Sequence, residues 1–452
     1  MLFSSLEFLF LFLPINIGVY FLLPKRFKNF WLLFGGLVFY SFGEPRFLPV
    51  MAVTILADFL FGLWIARMRE NKRGAFAVLW LAVALNIGTL AFFKYFDFFG
   101  FGLPIGISFY TFQALSYVID VYRKNVSVNR SLIDFGAYVS LFPQLIAGPI
   151  VRYSDIDSEL RGRTHKVSDI ADGVRIFCIG LAKKVILANP AGEMWERLAL
   201  DHSFVGTYVA IFFFASQIYF DFSGYSDMAV GLGRVLGFNF PQNFNYPYVA
   251  RSITDFWRRW HITLSSWFRE YVYIPLGGNR KGRLRTYLNL LITWSLTGIW
   301  HGATLNFLLW GLYFALLLIL EKAFLLKLLC RIPKAFSHIY ALVLVALGWV
   351  IFVSDGSVEG FVGARFALRM VGIGCDSLCS PLARYELIRS IAFIAILVLG
   401  ATPLPKVLYR KIKNRAPGCG IALESVAPFA IFILCVAHIV SSEYNPFLYF
   451  RF

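Results

Sequence analysis

Two histidines stand in the most polar part of an otherwise apolar chain, each directly after a tryptophan: His261 in "RRWHITLSS" and His301 in "TGIWHGATLNF". An imidazole is the side chain best suited to take up and return a proton near neutral pH, so this pair is the first candidate for general acid–base chemistry. Helical spacing would put Thr297, His301 and Thr304 on one face, with Gly298 and Gly302 as a small-x-x-x-small pair that admits a neighbouring helix. His301 is therefore expected to face protein rather than lipid. A histidine that only bonds a neighbouring helix is the plainer reading of each; two Trp-His pairs in one region weigh against it.

The stretch "DFWRRWHITLSSWFREYVYIPLGGNRKGRLR", Asp255 to Arg285, carries the densest polar patch. At about 100° per residue, Arg258, His261, Ser265 and Arg269 share one arc, opposite Phe256, Trp260, Leu264, Trp267 and Tyr271. The pattern predicts one amphipathic helix that lies at the interface or lines a wet cavity, because it has too many charges to face lipid. Asp221 and Asp227, in "SQIYFDFSGYSDMAVGLG", are carboxylates at membrane depth that need partners. Arg258, Arg259 and Arg269 are the candidates, either as ion pairs or as a grip on a donor's phosphates. Ser265, Asp221, Asp227 and Asn306 complete the substrate- and donor-binding candidates.

Other chemistries find little support. None of the six histidines has metal-ligand spacing to another, so no metal site is expected. "GLGRVLG", Gly231 to Gly237, has the wrong spacing for a dinucleotide loop and reads as helix packing. Neither a Walker A loop nor a G-x-S-x-G elbow occurs. Cys178, Cys330 and Cys435 lie in or beside apolar segments, and Cys375 with Cys379 could form a disulfide within one loop.

The elements that must position these residues are membrane helices. The chain of 452 residues is 58% hydrophobic and 15% charged, with mean hydropathy +0.67, against roughly 45–50% and about 25% in soluble domains. Apolar runs near Phe8–Leu23, Phe30–Phe42, Leu48–Ala66, Ala75–Phe93, Leu103–Val121, Ile133–Val151, Thr207–Phe222, Tyr287–Trp300, Ala303–Leu320, Ile339–Val353, Ile388–Gly400 and Val426–Val440 predict an all-α polytopic protein. About 11–13 membrane helices are expected, with amphipathic or re-entrant segments such as the Pro–Gly-broken "LFPQLIAGPIVRYSD". They would form a single membrane domain: N-terminal helices over 1–101, a catalytic core over 102–311 and C-terminal helices over 312–452.

Met1–Leu23 has no basic n-region or small-residue cleavage site, so its apolar run is expected to stay as a helix. The loops "PKRFKN" and "RMRENKRG" are basic and "GEPR" is nearly neutral, which puts the N-terminus outside and the basic loops in the cytoplasm. The net charge of +17 resides in such short loops and argues against nucleic-acid binding.

The ordered motifs "SFYTFQALSYVIDVYR", "LFPQLIAGPIVRY", "YFDFSGYSDMAVGLGRVLGFNFPQNFNYPY", "DFWRRWHITLSSWFREYVYIPLGGNRKG" and "TGIWHGATLNFLLWG" resemble the membrane-bound O-acyltransferase (MBOAT) family. Within it they are most similar to the bacterial branch of alginate O-acetyltransferase membrane subunits. The resemblance is close from Gly102 to Gly311 and extends to the flanking helices in order and length. It implies a ring of helices around a thin centre where a cytoplasmic funnel meets an extracytoplasmic one. It also implies that His301 is the conserved membrane histidine and His261 the second functional one. By the same resemblance the donor is acetyl-CoA, a co-substrate rather than a permanently bound cofactor. The acceptor is an extracytoplasmic polysaccharide such as alginate, reached through a periplasmic acetyltransferase partner, and the location is the bacterial cytoplasmic (inner) membrane.

A thioester is already activated, so the enzyme would supply proximity, a base and oxyanion donors. His301 is the expected base, His261 orients the donor or shares the proton, and Lys281, Arg283 and Arg285 attract the donor. The competing readings are D-alanyl transfer to teichoic acid, peptidoglycan O-acetylation, a lipid or protein acyltransferase of the same family and, from another class, a proton-coupled transporter.

Overall fold

A computed structural model describes residues 1–95, 102–354, 362–442 and 444–446. The expected boundary at residue 101 lies outside them. Every regular element among the described residues is helical, and the chain is an all-α polytopic membrane protein. Helices follow from the medium: without water, backbone N–H and C=O groups must bond within their own segment.

Five helices are long and apolar enough to cross a bilayer: Pro45–Arg67, Lys72–Tyr95, Phe204–Val235, Lys334–Val353 and Pro417–Ser441. Ile391–Gly400 and Leu404–Arg415 make a sixth if counted together, bent by 72° at a short break that contains Pro403. The second arm is basic and has no buried residue.

Two segments depart from the apolar pattern. The run 133–151, read as a span, folds as Leu132–Val139 and a single turn, Phe142–Leu145, followed by irregular backbone. Its polar groups are met inside the protein: the Tyr138 hydroxyl donates to the Gln113 and Val151 carbonyls at 3.1 and 3.0 Å, and Gln144 Nε2 to the Tyr138 carbonyl at 2.7 Å. Conversely, no membrane helix was expected over 167–198, yet Val167–Ala182, Lys183–Ala188 and Asn189–Leu198 follow one another without a break. Lys183, Lys184, Asn189 and Glu193 interrupt its apolar residues and hide it from a hydropathy reading.

The chain forms two compact units. The first comprises Met1–Leu181 and Tyr225–Gln242. In it, Asn86 Nδ2 donates to the buried Asp58 carboxylate at 2.8 Å, and the Tyr20 hydroxyl donates to the Leu236 carbonyl at 2.8 Å. Gly173 and Gly231 face each other so closely that a Cβ on Gly231 would stand 2.7 Å from the Phe177 nitrogen, so this glycine packs helices as its sequence suggested.

The second unit comprises Ala182–Gly224 and, as far as it is described, Asn243–Leu448. At its centre, the helices Gly282–His301 and Leu305–Leu320 form a tight hairpin. Gly298 packs against Gly311 of the second arm, where an added Cβ would run into the Phe307 carbonyl and stand 3.2 Å from Gly311 Cα. Gly302 and Thr304 are not on the helix, contrary to the predicted face, because it ends at His301. Gly302 lies in the turn against the Phe307 ring, and Thr304 is the residue before the next helix.

Gly298→Leu is expected to lower stability by about 1–3 kcal/mol through overpacking, measured as the thermal-unfolding midpoint in detergent. Gly18→Ala, where a Cβ meets nothing within 4 Å, should leave that midpoint unchanged. A Gly298→Leu protein as stable as the parent would refute the close hairpin.

Candidate functional site

The site in the second unit begins with a backbone clamp. Asn245 N donates to the Arg259 carbonyl at 2.9 Å and Ile262 N to the Asn243 carbonyl at 2.9 Å. This pairing breaks the expected amphipathic helix after Ile253–Trp257; it resumes as Ile262–Phe268 and runs on into the π-helical Arg269–Tyr273, followed by turns up to Lys281. His261 occupies the break with φ 43° and ψ 55°, a left-handed conformation that costs an L-residue about 1–2 kcal/mol. The clamp holds it there. Arg258, His261, Ser265 and Arg269 therefore do not share one helical face; Arg258 and Arg269 are exposed, while His261 is 1% exposed.

The first short helix is anchored from both sides. Ser252 Oγ accepts from Asp255 N at 2.9 Å, a side-chain cap of the kind common at helix starts. The buried Glu321 carboxylate accepts from Ile253 N, Thr254 N and Thr254 Oγ1 at 2.6, 2.8 and 2.6 Å, and from the Tyr340 hydroxyl at 3.2 Å. A carboxylate at a helix N-terminus also meets the positive end of the helix dipole.

Asn243 then decides the state of His261. Its Oδ1 accepts from Thr263 N at 3.3 Å and from Thr263 Oγ1 at 2.9 Å, and it lies 3.0 Å from His261 Nδ1. A backbone N–H can only donate, so the atom it reaches is the amide oxygen, and His261 must offer Nδ1–H to it. In the neutral ring the lone pair is then on Nε2. Phe222 packs edge-on to this imidazole at 4.6 Å between ring centroids.

His301, 4% exposed, is the last residue of its helix and is enclosed by rings. Trp300, Trp310, Phe352 and Phe307 lie 4.8, 4.9, 5.3 and 6.3 Å from it, centroid to centroid. Trp300 also stands 6.5 Å from His261, so one indole lies beside both imidazoles. Trp310 is 1% exposed, and its Nε1–H has no acceptor among the described residues. Asn306 ties the start of its helix to the Lys334–Val353 helix: its Nδ2 donates to the Phe352 carbonyl at 3.2 Å, and its Oδ1 accepts from Thr304 Oγ1.

The acidic residues pair otherwise than the sequence suggested. Asp221 takes the buried Lys184 ammonium at 2.8 Å, and Arg259 bonds its own neighbour Asp255 at 2.8 Å. Lys184 donates as well to the Pro446 carbonyl. Asp227, half-buried, belongs to the first unit's part of the Phe204–Val235 helix. Arginine was the more conspicuous partner in sequence because it is clustered there, whereas Lys184 was lost in an unrecognised helix. Asn243 and Glu321 were also missed. A lone Glu after "LLLIL" and an Asn within the quoted "FPQNFNYPY" were the available signals.

Cys375 and Cys379 are free thiols. His165 lies 2.9 Å from the Tyr20 hydroxyl in the first unit, and His338 Nδ1 lies 2.9 Å from the Ala250 carbonyl.

Asp221→Asn would strand the Lys184 charge and is expected to cost about 3–5 kcal/mol of stability. The double change Lys184→Met with Asp221→Leu should recover much of it, again read from thermal unfolding. Equal losses in the single and double variants would show that the charges do not compensate one another.

Residues 37–354 match the membrane-bound O-acyltransferase (MBOAT) family. Over the full length of both chains, the protein is 37% identical to a probable alginate O-acetylase, AlgI, of Pseudomonas putida. It is 35% identical to a peptidoglycan O-acetyltransferase of Helicobacter pylori, covering 84% of this chain and 81% of the relative. A teichoic acid D-alanyltransferase of Lacticaseibacillus rhamnosus is 27% identical over 69% of this chain and 84% of its own. With its helical membrane architecture and a match over more than half its length, the chain belongs to the membrane-bound O-acyltransferase family and is an O-acyltransferase.

Proposed function

We propose that the protein moves an acetyl group from cytoplasmic acetyl-CoA across a bacterial inner membrane toward the hydroxyls of an extracytoplasmic polysaccharide of the alginate type. The observation that carries this reading is the pair of buried imidazoles, His261 and His301, that share Trp300 as a neighbour. The relatives named as alginate O-acetylases, at 37–43% identity, favour acetyl and a polysaccharide over the D-alanyl and teichoic acid pairing. The basic loops favour an N-terminus outside and support a donor that arrives from the cytoplasm. A periplasmic acetyltransferase would complete the delivery.

In this mechanism the acceptor oxygen attacks the thioester carbonyl as the His301 imidazole takes its proton. The C–S bond then breaks and the proton passes to the leaving thiolate, so a single base can serve both halves. The carbonyl ends of the helix that stops at His301 stabilise the imidazolium in between. Trp310 Nε1–H is a buried donor available to the developing oxyanion. His261, held as the Nδ1–H form by Asn243, positions Nε2 to accept a bond from donor or acceptor. Arg258 and Arg269, exposed on the segments that flank His261, are available to phosphate groups of the donor.

His301→Ala should reduce acyl transfer from labelled acetyl-CoA by about 10²–10⁴-fold, the usual weight of a general base, in protein that still purifies as a folded monodisperse species. Full activity would overturn the assignment. Asn243→Ala should depress transfer while His301→Ala in the same background adds less than its full effect, since residues acting as one unit are not additive. Release of D-alanine rather than acetate from alkali-treated envelopes would move the protein to the other branch.

A further inference from the structure

Beyond the histidine pair, the second unit carries a built cationic depression. Three backbone bonds join the turn 202–205 to the loop 376–378: Asp376 N to the His202 carbonyl, Phe204 N to the Ser377 carbonyl and Val205 N to the Leu378 carbonyl, at 3.2, 3.1 and 2.9 Å. Asp201 locks the same junction, accepting from Ser203 N at 2.8 Å, from Ser203 Oγ at 2.6 Å and from Ser380 Oγ. Beside this frame lies a cavity of about 350 Å³ lined by His202, Arg365 and Arg369 among apolar residues. That volume is within the ordinary range for small-ligand sites.

Its arginines are not consumed by the fold. Arg369 is 6% exposed; Nη1 donates to the Asp201 carbonyl at 3.0 Å, while Nε has no acceptor among the described residues. Arg365 is exposed and has no ion pair among the described residues. His202 is 3.4 Å from Asp376, the nearby acid. A second cavity, of about 610 Å³, follows on the same segment, lined by Ser380, Arg384, Tyr385 and Arg389. There Arg389 pairs with Glu386 at 3.0 Å, whereas Arg384 has no ion pair among the described residues.

The side of the membrane gives these arginines meaning. Lys327 and Arg331 precede the Lys334–Val353 span, and Lys334 is its first residue. With this basic group inside, the segment that follows the span is outside. Translocated loops normally lack arginine, yet this one carries Arg365, Arg369, Arg384 and Arg389. Cations kept against that trend, in concave sites with donors to spare, suit an anion that approaches from outside. Guanidinium matches carboxylate in particular, through two parallel N–H donors.

We propose that these two depressions form an extracytoplasmic binding site for a carboxylate-bearing polysaccharide, Arg365 and Arg369 taking one uronate and Arg384 another along the chain. This rests on the polysaccharide reading above. Two separate cationic hollows on one segment fit a repeating polyanion better than a single small acid, and their concavity fits a sugar ring better than a flat protein surface.

The test is calorimetric titration of the full-length protein, in lipid nanodiscs, with a short oligouronate, the same oligosaccharide with its carboxyls reduced to alcohols, and a polyaspartate peptide. The oligouronate should bind and weaken steeply with salt, and the reduced form should not bind. Arg365→Gln with Arg384→Gln, both exposed and so no threat to folding, should weaken binding at least about tenfold, the effect of a lost charge-assisted bond. Unchanged affinity in that variant, equal binding of the reduced oligosaccharide, or polyaspartate binding that depends on the same arginines would each overturn the proposal. Acetyl transfer from labelled donor to a small soluble alcohol, run in parallel, should be the same in parent and variant. Its absence in the parent would instead refute the proposed function.

Discussion

The arrangement depends on one constraint: polar groups withdrawn from water must find partners inside the protein. Asn243 meets it most economically. Its carbonyl groups, one backbone and one side chain, receive Ile262 N, Thr263 N, Thr263 Oγ1 and the His261 ring. The same contacts turn the chain at a left-handed histidine and choose which ring nitrogen carries the proton. Geometry and protonation thus meet at one residue, with Asn245 N on the Arg259 carbonyl holding the other side of the turn.

Around this clamp, the remaining buried charges are held in the same way. Glu321, where its own helix passes into a π-helical turn, begins another at Ile253 by accepting the backbone donors that a helix start leaves open. Lys184 and Asp221 neutralise each other next to Phe222, the ring that supports His261. His301 lies where two helices pack closely. The Gly298–Gly311 contact brings two helices together, the first ends, and the imidazole is left among Trp300, Trp310, Phe307 and Phe352. The Nδ1 of one histidine is bonded to Asn243, and the other histidine stands among four aromatic rings.

Much of this was legible in the residues. Hydropathy found the long spans, and the paired Trp-His motifs pointed to the two histidines that the fold brings beside Trp300. Periodicity failed where a long-range bond overrode it. A 100° wheel drawn through Arg258, His261, Ser265 and Arg269 assumes an unbroken helix, and the partners that break it lie 14 to 20 residues upstream. The wheel drawn through Thr297, His301 and Thr304 failed for the related reason that the helix stops one residue after Trp300. The 167–198 helix escaped because polar residues such as Lys184, buried against Asp221, lower its hydropathy.

By itself, then, the amino-acid order determined the medium, the helical class, the family and the two imidazoles, because each of these is written in local composition or in contiguous motifs. Only the tertiary structure decided that His261 is an Nδ1–H imidazole in a strained turn, that Asp221 belongs to Lys184, and that Glu321 caps a helix far from it in sequence. The physical reason is the same in each case. A buried polar group takes whichever partner the packed helices bring within reach, and that partner is set by three-dimensional proximity, which neither spacing nor hydropathy records.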